Sequence, residues 1–182
     1  MKLILVRHGE TEENIVGIIQ GQSIHGNLSE KGINQVKIVS EKLKPVKINV
    51  ILTSDLKRAL DTVEIIAVFH PETKIILTKD LRERNWGEFE GKKKADLNWP
   101  ELKEKYQKGS EKPENGENFY EFYNRVNEFF KKIKKDYPDK TILVVSHKNF
   151  IRTLIGIINE KPTIEIHDFG RINQDDIYEF EV

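Results

Sequence analysis

The sequence predicts an α/β fold: a three-layer α/β/α sandwich with a mostly parallel sheet, helices on both faces and a small helical lid insertion. Short apolar runs alternate with longer amphipathic stretches, which is typical of buried parallel strands joined by helices. The runs at 3–6 and 142–145 are each followed, one residue later, by a histidine, His8 and His147. Because open α/β sheets bind ligands beyond the carboxyl ends of their strands, both histidines are expected at a site.

The elements of the first half follow this alternation. Residues 2–6 predict a strand, and the Gly- and Asn-containing stretch 9–27 predicts a loop with a short helical turn. Ser29 is a candidate N-cap for a helix that Pro45 closes. A second strand is expected at 50–53, followed by a helix to residue 67 that Ser54 or Asp55 would cap. Residues 74–77 predict a short third strand.

The second half begins with a stretch rich in Gly, Pro and Trp, at about 80–118, which predicts the lid. One helix is expected inside it at about 95–107. An amphipathic helix at 118–135, a strand at 141–145, a helix at 149–159 and an edge strand at 177–181 complete the pattern. We expect residues 1–182 to form a single domain with the lid inserted.

Composition excludes several classes of protein. Lys+Arg and Asp+Glu both number 30, so charge alone favours neither a nucleic acid nor a membrane surface as a partner. The chain has no cysteine, which excludes disulfides and thiolate metal sites. No apolar stretch approaches the roughly 20 residues of a membrane span. We expect a cytoplasmic protein.

Six short motifs occur in order along the chain. They are RHGET at 7–11 with Asn14, LSEKG at 28–32 with Gln35, TSDLKRA at 53–59 with Thr62, LRE at 81–83 followed by GEFEG at 87–91, GE at 116–117 before Arg125, and SH at 146–147. This ordered set resembles the signature of the histidine phosphatase superfamily, also called phosphoglycerate-mutase-like. An RHG tripeptide alone would be weak support, whereas the ordered set is specific.

The resemblance implies a metal-independent phosphomonoesterase without a cofactor. His8 would attack phosphorus and become a phosphohistidine, while Arg7, Arg58 and His147 would hold the phosphoryl oxygens. Glu83 would protonate the leaving alcohol and then help a water molecule to attack the phosphoenzyme. The substrate implied is a small phosphorylated metabolite.

The residue types suit this chemistry. Guanidinium groups offer planar, bidentate donors to phosphate oxygens and stay charged at working pH. An imidazole nitrogen is nucleophilic only when neutral, which its ordinary pKa of about 6.5 allows near neutral pH. Gly9 would let the backbone approach a ligand closely. Trp86 and Phe89 are expected as apolar walls near Glu83.

Four further residues are candidates for binding substrate. Asn14 matches an assisting position of the family, and Gln20 with Gly21 is similar to a substrate-contacting loop, although each also fits a plain turn. Lys148 departs from the family, which commonly has glycine after the second histidine. It adds positive charge near the phosphate, recognises a second acidic group on the substrate, or points away from the site.

Three rival functions remain. A cofactor-dependent phosphoglycerate mutase would use the same phosphohistidine but return the phosphoryl group to product. A non-catalytic phosphate-binding regulatory module would have lost His8 or Glu83, and both are present. A metal hydrolase is disfavoured because the histidines form no i,i+4 ligand pair. A homodimer remains open, since the sequence fixes no oligomeric state.

Overall fold

A five-stranded sheet forms the centre of the structure, a computed structural model that describes residues 1–107, 109–168 and 170–182, with only the backbone at 107, 164, 167 and 168. The strand order is β3-β2-β4-β1-β5. Strand β5 runs antiparallel to β1 at one edge, and the other pairings are parallel. The strands are β1 (Lys2–Arg7), β2 (Val50–Ser54), β3 (Lys74–Thr78), β4 (Thr141–Ser146) and β5 (Ile177–Glu181).

Helices cover both faces of the sheet, which confirms the predicted three-layer sandwich. On one face, β1 residues such as Ile4 pack with the buried stripes of α2 and α3, and on the other Leu3 packs with α5 and α6. The helices are α1 (Glu12–Ile15), α2 (Glu30–Leu43), α3 (Lys57–Ala67), α4 (Trp99–Gln107), α5 (Phe119–Asp136) and α6 (Lys148–Ile158). Short 3₁₀ turns occupy Lys79–Leu81, Gly87–Phe89, Lys94–Asp96 and Thr163–Asp168.

Local chemistry explains where these helices begin. Ser29 caps α2 as predicted, since its Oγ accepts a hydrogen bond from the Gly32 amide at 3.0 Å. The expected cap of α3 is wrong. Leu56 occupies the N-cap and makes no capping bond, while the Asp55 carboxylate instead accepts two hydrogen bonds from the Arg82 guanidinium at 2.6 and 2.7 Å. That ion pair joins the start of α3 to the segment after β3.

Segment 79–118 has an apolar cluster separate from the sheet faces. Trp86 and Phe89 are its buried centre together with Ile19, which lies outside the segment. The helix of this segment begins at Trp99 and not near residue 95, because Lys94–Asp96 forms a 3₁₀ turn and Leu97 is extended. The segment therefore packs against the loop after β1 through its own core.

The register of the two central strands positions the histidines. Arg7 pairs with Ser146 across β1 and β4, so both strands end at the same level. The His8 amide donates to the Ser146 carbonyl at 3.0 Å, which carries the pairing one residue beyond the strand end. Within the described residues, no helix has the length and apolar character needed to cross a membrane.

Candidate active site

The two histidines lie side by side at the carboxyl end of the sheet. Their ring centroids are 5.1 Å apart, and His8 and His147 are 3% and 0% exposed. Each follows a strand whose apolar side chains fill the core. His8 and His147 are thus neighbours in the structure although 139 positions separate them in the sequence.

Hydrogen bonding orients the His8 ring. The Gly9 carbonyl lies 2.8 Å from Nδ1, and since a carbonyl only accepts, Nδ1 carries the proton. The other nitrogen, Nε2, then bears a lone pair. Burial, with the positive charges of Arg58 and Arg7, lowers the pKa of His8 well below its ordinary value. His8 is therefore a neutral imidazole with a free nucleophilic nitrogen.

Two guanidinium groups stand next to this ring, that of Arg58 buried and that of Arg7 half-buried. Arg58, in the first turn of α3, donates to the carbonyls of Gly21 at 2.7 Å and Ile24 at 2.9 Å. Arg7 donates to the Ile172 carbonyl at 2.8 Å. In the described part of the chain, the buried Nε of each arginine has no hydrogen-bond partner. Burial lowers each pKa to about 10, so both remain cationic at neutral pH.

His147 has two buried ring nitrogens, and neither has a partner among the residues that the structure describes. Burial lowers its pKa well below the ordinary value, and the nearby charges of Arg58 and Arg7 lower it further. A buried polar group without a partner is costly, so this ring fits a ligand that supplies an oxygen. We call Arg7, His8 and Arg58, together with His147 against the His8 ring, the phosphoryl end of the cavity, after the role that the family resemblance implies for them.

Glu83 faces the same cavity from the segment after β3. Its carboxylate accepts hydrogen bonds from the amides of Arg84 at 2.8 Å and Asn149 at 3.2 Å. Its carbonyl accepts from the Gln22 side chain at 2.8 Å and from Arg125 at 3.3 Å. These bonds fix the carboxylate between segment 79–118 and the start of α6.

A cavity of about 160 Å³ is lined by His8, the two arginines and Glu83. Trp86 and Trp99 contribute apolar walls, whereas Phe89, expected beside Trp86, packs inside the cluster of segment 79–118 and does not line the cavity. The other lining residues are Arg7, His8, Asn14, Ile18, Ile19, Gln20, Gly21, Arg58, Glu83, Lys94, Lys103, Lys148, Asn149 and Arg152. His147 lies directly behind this lining, beside the His8 ring.

Comparison with known proteins gives the family. A model described as histidine phosphatase superfamily (branch 1) matches residues 3–181. The chain belongs to the histidine phosphatase superfamily. This confirms the resemblance inferred from the six motifs.

Several relatives of this chain are named as phosphatases. A metal-independent phosphoserine phosphatase of Arabidopsis thaliana is 36% identical over 166 residues, covering 84% of this chain and 66% of that protein. An adenosylcobalamin/alpha-ribazole phosphatase of Salmonella typhimurium is 31% identical over 179 residues, covering 96% and 87%. A Schizosaccharomyces pombe relative named as a probable phosphatase is 41% identical, with the alignment covering 50% of this chain and 43% of that protein. The chain thus spans less than two thirds of the Arabidopsis and fission-yeast relatives.

Solved structures agree with the family and the fold. The alpha-ribazole phosphatase from Shigella flexneri superposes with a TM-score of 0.90 at 27% identity, covering 100% of this chain and 91% of that one. A phosphoserine phosphatase of Entamoeba histolytica, in complex with 3-phosphoglyceric acid, gives a TM-score of 0.84 at 30% identity, covering 99% and 90%. Membership of this family is consistent with a phosphoric monoester hydrolase.

The predicted substrate-binding residues of this chain all line the cavity, but several also make structural contacts. Asn14, inside α1, completes a capping box with the N-cap Thr11, whose amide donates to the Asn14 side-chain oxygen at 3.3 Å. The Gln20 amide nitrogen donates to the Thr11 hydroxyl at 2.8 Å, while its buried oxygen has no partner among the described residues. Gly21, at φ +48°, offers its carbonyl to Arg58. Lys148 is half-buried at the start of α6.

Gly9 permits a close approach within the protein. A Cβ there would come within 2.7 Å of the Gly32 carbonyl oxygen and 2.8 Å of Val36. The close approach that glycine permits is therefore between the loop after β1 and helix α2. That packing holds the Gly9 carbonyl within hydrogen-bond distance of His8 Nδ1, so Gly9 orients the His8 ring.

Sequence reasoning missed four polar lining residues, Lys94, Lys103, Asn149 and Arg152, and the apolar Ile18, Ile19 and Trp99. Arg152 lies one helical turn after Lys148, and this i,i+4 spacing was the available indication that both share a face of α6. Lys94 and Lys103 lie among many other lysines of segment 79–118. Nothing in their local sequence separates a lysine that faces the cavity from one that faces solvent.

Proposed function

We propose that this chain is a metal-independent phosphomonoesterase that hydrolyses a small phosphorylated metabolite through a phosphohistidine on His8. The observation that carries the proposal is the hydrogen bond from His8 Nδ1 to the Gly9 carbonyl at 2.8 Å, which leaves Nε2 as a nucleophile beside two guanidinium groups. Among the described residues, no group of three or more His, Asp or Glu side chains is placed to hold a metal ion.

In the first step, His8 Nε2 forms a bond to phosphorus as the bond from phosphorus to the ester oxygen breaks. Arg7 and Arg58 neutralise the charge on the non-bridging oxygens, which is most of what phosphoryl transfer asks of a protein. His147 donates a ring N–H to one of these oxygens. The protonated Glu83 carboxyl gives its proton to the leaving ester oxygen, releasing an alcohol.

In the second step, a water molecule attacks the phosphohistidine. Glu83, now a carboxylate, accepts a proton from this water as the bond from oxygen to phosphorus forms and the bond to His8 Nε2 breaks. Inorganic phosphate leaves, and His8 returns to the tautomer that Gly9 selects. Residues 80–118, carrying Glu83 and both tryptophans, act as a lid over this chemistry within a single domain spanning 1–182.

The size and polarity of the cavity support a small substrate. Its volume of about 160 Å³ is similar to that of a cavity that accommodates a benzene ring, roughly 150 Å³. Relatives are named for phosphoserine and for adenosylcobalamin or alpha-ribazole. The cavity in this conformation fits the smaller of these compounds.

The decisive experiment measures phosphate release from p-nitrophenyl phosphate in excess chelator. We expect hydrolysis by the wild type and a loss of about 10⁴-fold or more in His8→Ala, which lacks the nucleophile. The control is His25→Ala, because His25 is an exposed histidine and does not line the cavity. Activity that depends on added metal, or that survives in His8→Ala, would contradict the proposal.

A second measurement separates hydrolysis from mutase chemistry. With 3-phosphoglycerate, a phosphatase releases inorganic phosphate, whereas a mutase yields 2-phosphoglycerate without release. Acid-labile, base-stable phosphate bound to the wild type and absent from His8→Ala would identify the phosphohistidine. Interconversion without phosphate release would replace the phosphatase assignment by the mutase alternative.

A further inference from the structure

The cavity holds more positive charge than one phosphate group requires. Beyond the phosphoryl end, four further cations line it, and we call them the cationic end: Lys94, Lys103, Lys148 and Arg152. Lys94 belongs to a 3₁₀ turn and Lys103 to α4, both in segment 79–118, while Lys148 and Arg152 belong to α6. Glu83 is the only carboxylate among the lining residues of this cavity.

Within the described part of the chain, none of these four side chains forms a salt bridge. Arg152 gives the strongest indication of a bound anion, because it is only 7% exposed. Its Nη2 makes one long hydrogen bond, 3.5 Å, to the Gly170 carbonyl, and its Nε has no partner among the described residues. A buried guanidinium with so few partners is costly unless an anion joins it.

The four cations also repel one another. Burial lowers the pKa of Lys148 to about 8, and the charges of Arg152, Arg7, Lys103 and Lys94 add to that effect. Lys103 shows the same pattern, since burial and the charge of Arg152 lower its pKa. The folded protein accommodates this repulsion, but a negative group among the four side chains would be needed to neutralise it.

We propose that the substrate carries a second anionic group, a carboxylate or a second phosphate, held by Arg152 and Lys148 with Lys94 and Lys103 around it. This inference rests on the proposed phosphatase function, since the ester phosphate must occupy the phosphoryl end. The cavity volume of about 160 Å³ limits the separation of the two groups to a few bonds. The substrate class is a short-chain phosphorylated acid or a small bisphosphate.

Two matched pairs of substrates test this inference. Phosphoserine and phosphoethanolamine differ only by a carboxylate, and 1,3-propanediol bisphosphate and 3-hydroxypropyl phosphate differ only by a second phosphate. We expect the wild type to show kcat/KM about tenfold or more higher for the anionic member of at least one pair. The pair that shows the preference identifies the second group.

Variants of Lys148 and Arg152 test whether the cationic end causes this substrate preference. Lys148→Gln and Arg152→Gln should each bring the ratio of kcat/KM within the preferred pair towards one. Lys148 is half-buried on the surface of α6, so its variant keeps the test valid if the buried Arg152 is needed for folding. Lys105→Gln is the matched control, because Lys105 lies on α4 beside Lys103 but pairs with Glu111 at 3.4 Å. Its ratio should equal that of the wild type.

Opposite results are easily recognised. Hydrolysis of p-nitrophenyl phosphate with a ratio near one in both pairs would overturn this inference and leave the phosphatase assignment intact. A ratio that both variants leave unchanged would likewise overturn it. A wild type that hydrolyses none of these esters would overturn the proposed function and this inference together.

Discussion

The two ends of the cavity differ in how their charges are held. At the phosphoryl end, Arg58, Arg7 and the His8 ring donate to backbone carbonyls, and the side chains sit at the carboxyl ends of central strands or in the first turn after one. At the cationic end, the side chains come from α6 and from segment 79–118 and form no salt bridges with described residues.

This difference between the two ends suits two tasks, reaction at phosphorus and recognition of the rest of the substrate. Attack on phosphorus needs fixed geometry, which rigid strands and buried hydrogen bonds provide. Recognition of the rest of a substrate can rest on side chains from a connecting segment, which is where proteins vary most. In this chain, backbone carbonyls already hold the two arginines and the His8 ring of the phosphoryl end, whereas the side chains of the cationic end have no salt-bridge partner among the described residues.

The largest expected effect concerns Glu83, which stands between the two ends. In Glu83→Gln, kcat for an alkyl phosphate should fall by about 10²–10⁴-fold, because the leaving alcohol loses its proton donor. The loss should be much smaller for p-nitrophenyl phosphate in the first step, since p-nitrophenolate leaves without a proton. Burst kinetics on both substrates measure this, and an equal loss of the burst rate would exclude Glu83 as the donor.

An intermediate effect is expected at Glu90, which ties segment 79–118 to the loop after β1. Its carboxylate accepts from the amides of Gln22, Ser23 and Trp86 at 3.0, 2.7 and 2.8 Å. Glu90→Ala should lower the free energy of unfolding by about 2 kcal/mol, because hydrogen bonds to a charged acceptor are lost. Urea denaturation measures this loss.

The matched control for Glu90 is Glu88→Ala. Glu88 is exposed, and its pairing with Lys92 at 4.0 Å joins two solvated side chains. Exposed pairs of this kind contribute little, so the control should change the unfolding free energy by less than about 0.5 kcal/mol. Equal losses in the two variants would show that Glu90 does not anchor the segment.

The smallest effect is a pH dependence at the cationic end. Because the pKa of Lys148 is lowered to about 8, raising the pH through this value removes its charge from the free enzyme. For the preferred anionic substrate, kcat/KM should fall by about tenfold between pH 7 and 9.5, the equivalent of a charge-assisted hydrogen bond. The matched substrate without the second anion and the Lys148→Gln variant should lack this step, and its persistence in the variant would exclude Lys148.

Much of the architecture could be predicted from local sequence. Alternating apolar runs and amphipathic stretches predicted the strands and helices, and Ser29 was correctly identified as a cap. The errors arose where distant partners compete for a side chain. Asp55 does not cap α3, because its carboxylate accepts two charge-assisted hydrogen bonds from Arg82, 27 residues away.

The register of the central strands brings the predicted catalytic residues His8, His147 and Arg58 to the same edge of the sheet. His8 and His147 follow neighbouring parallel strands, and Arg58 opens the helix after a third. Phe89 was misplaced because both tryptophan and phenylalanine suit an apolar wall, and only packing decides which one faces the cavity. Arg152 was missed because a buried cation is identified by its surroundings and not by its neighbours in sequence.

The sequence by itself determined the fold class, the family and the order of the chemical motifs, since hydrophobic periodicity and short motifs are local properties of the chain. Only the tertiary structure decided the tautomer of His8, the task of Gly9 and the excess of positive charge in the cavity. These features depend on distances between residues from different elements. Electrostatic and hydrogen-bond energies depend on these distances in space, and the separation of two residues along the chain does not determine how far apart they lie.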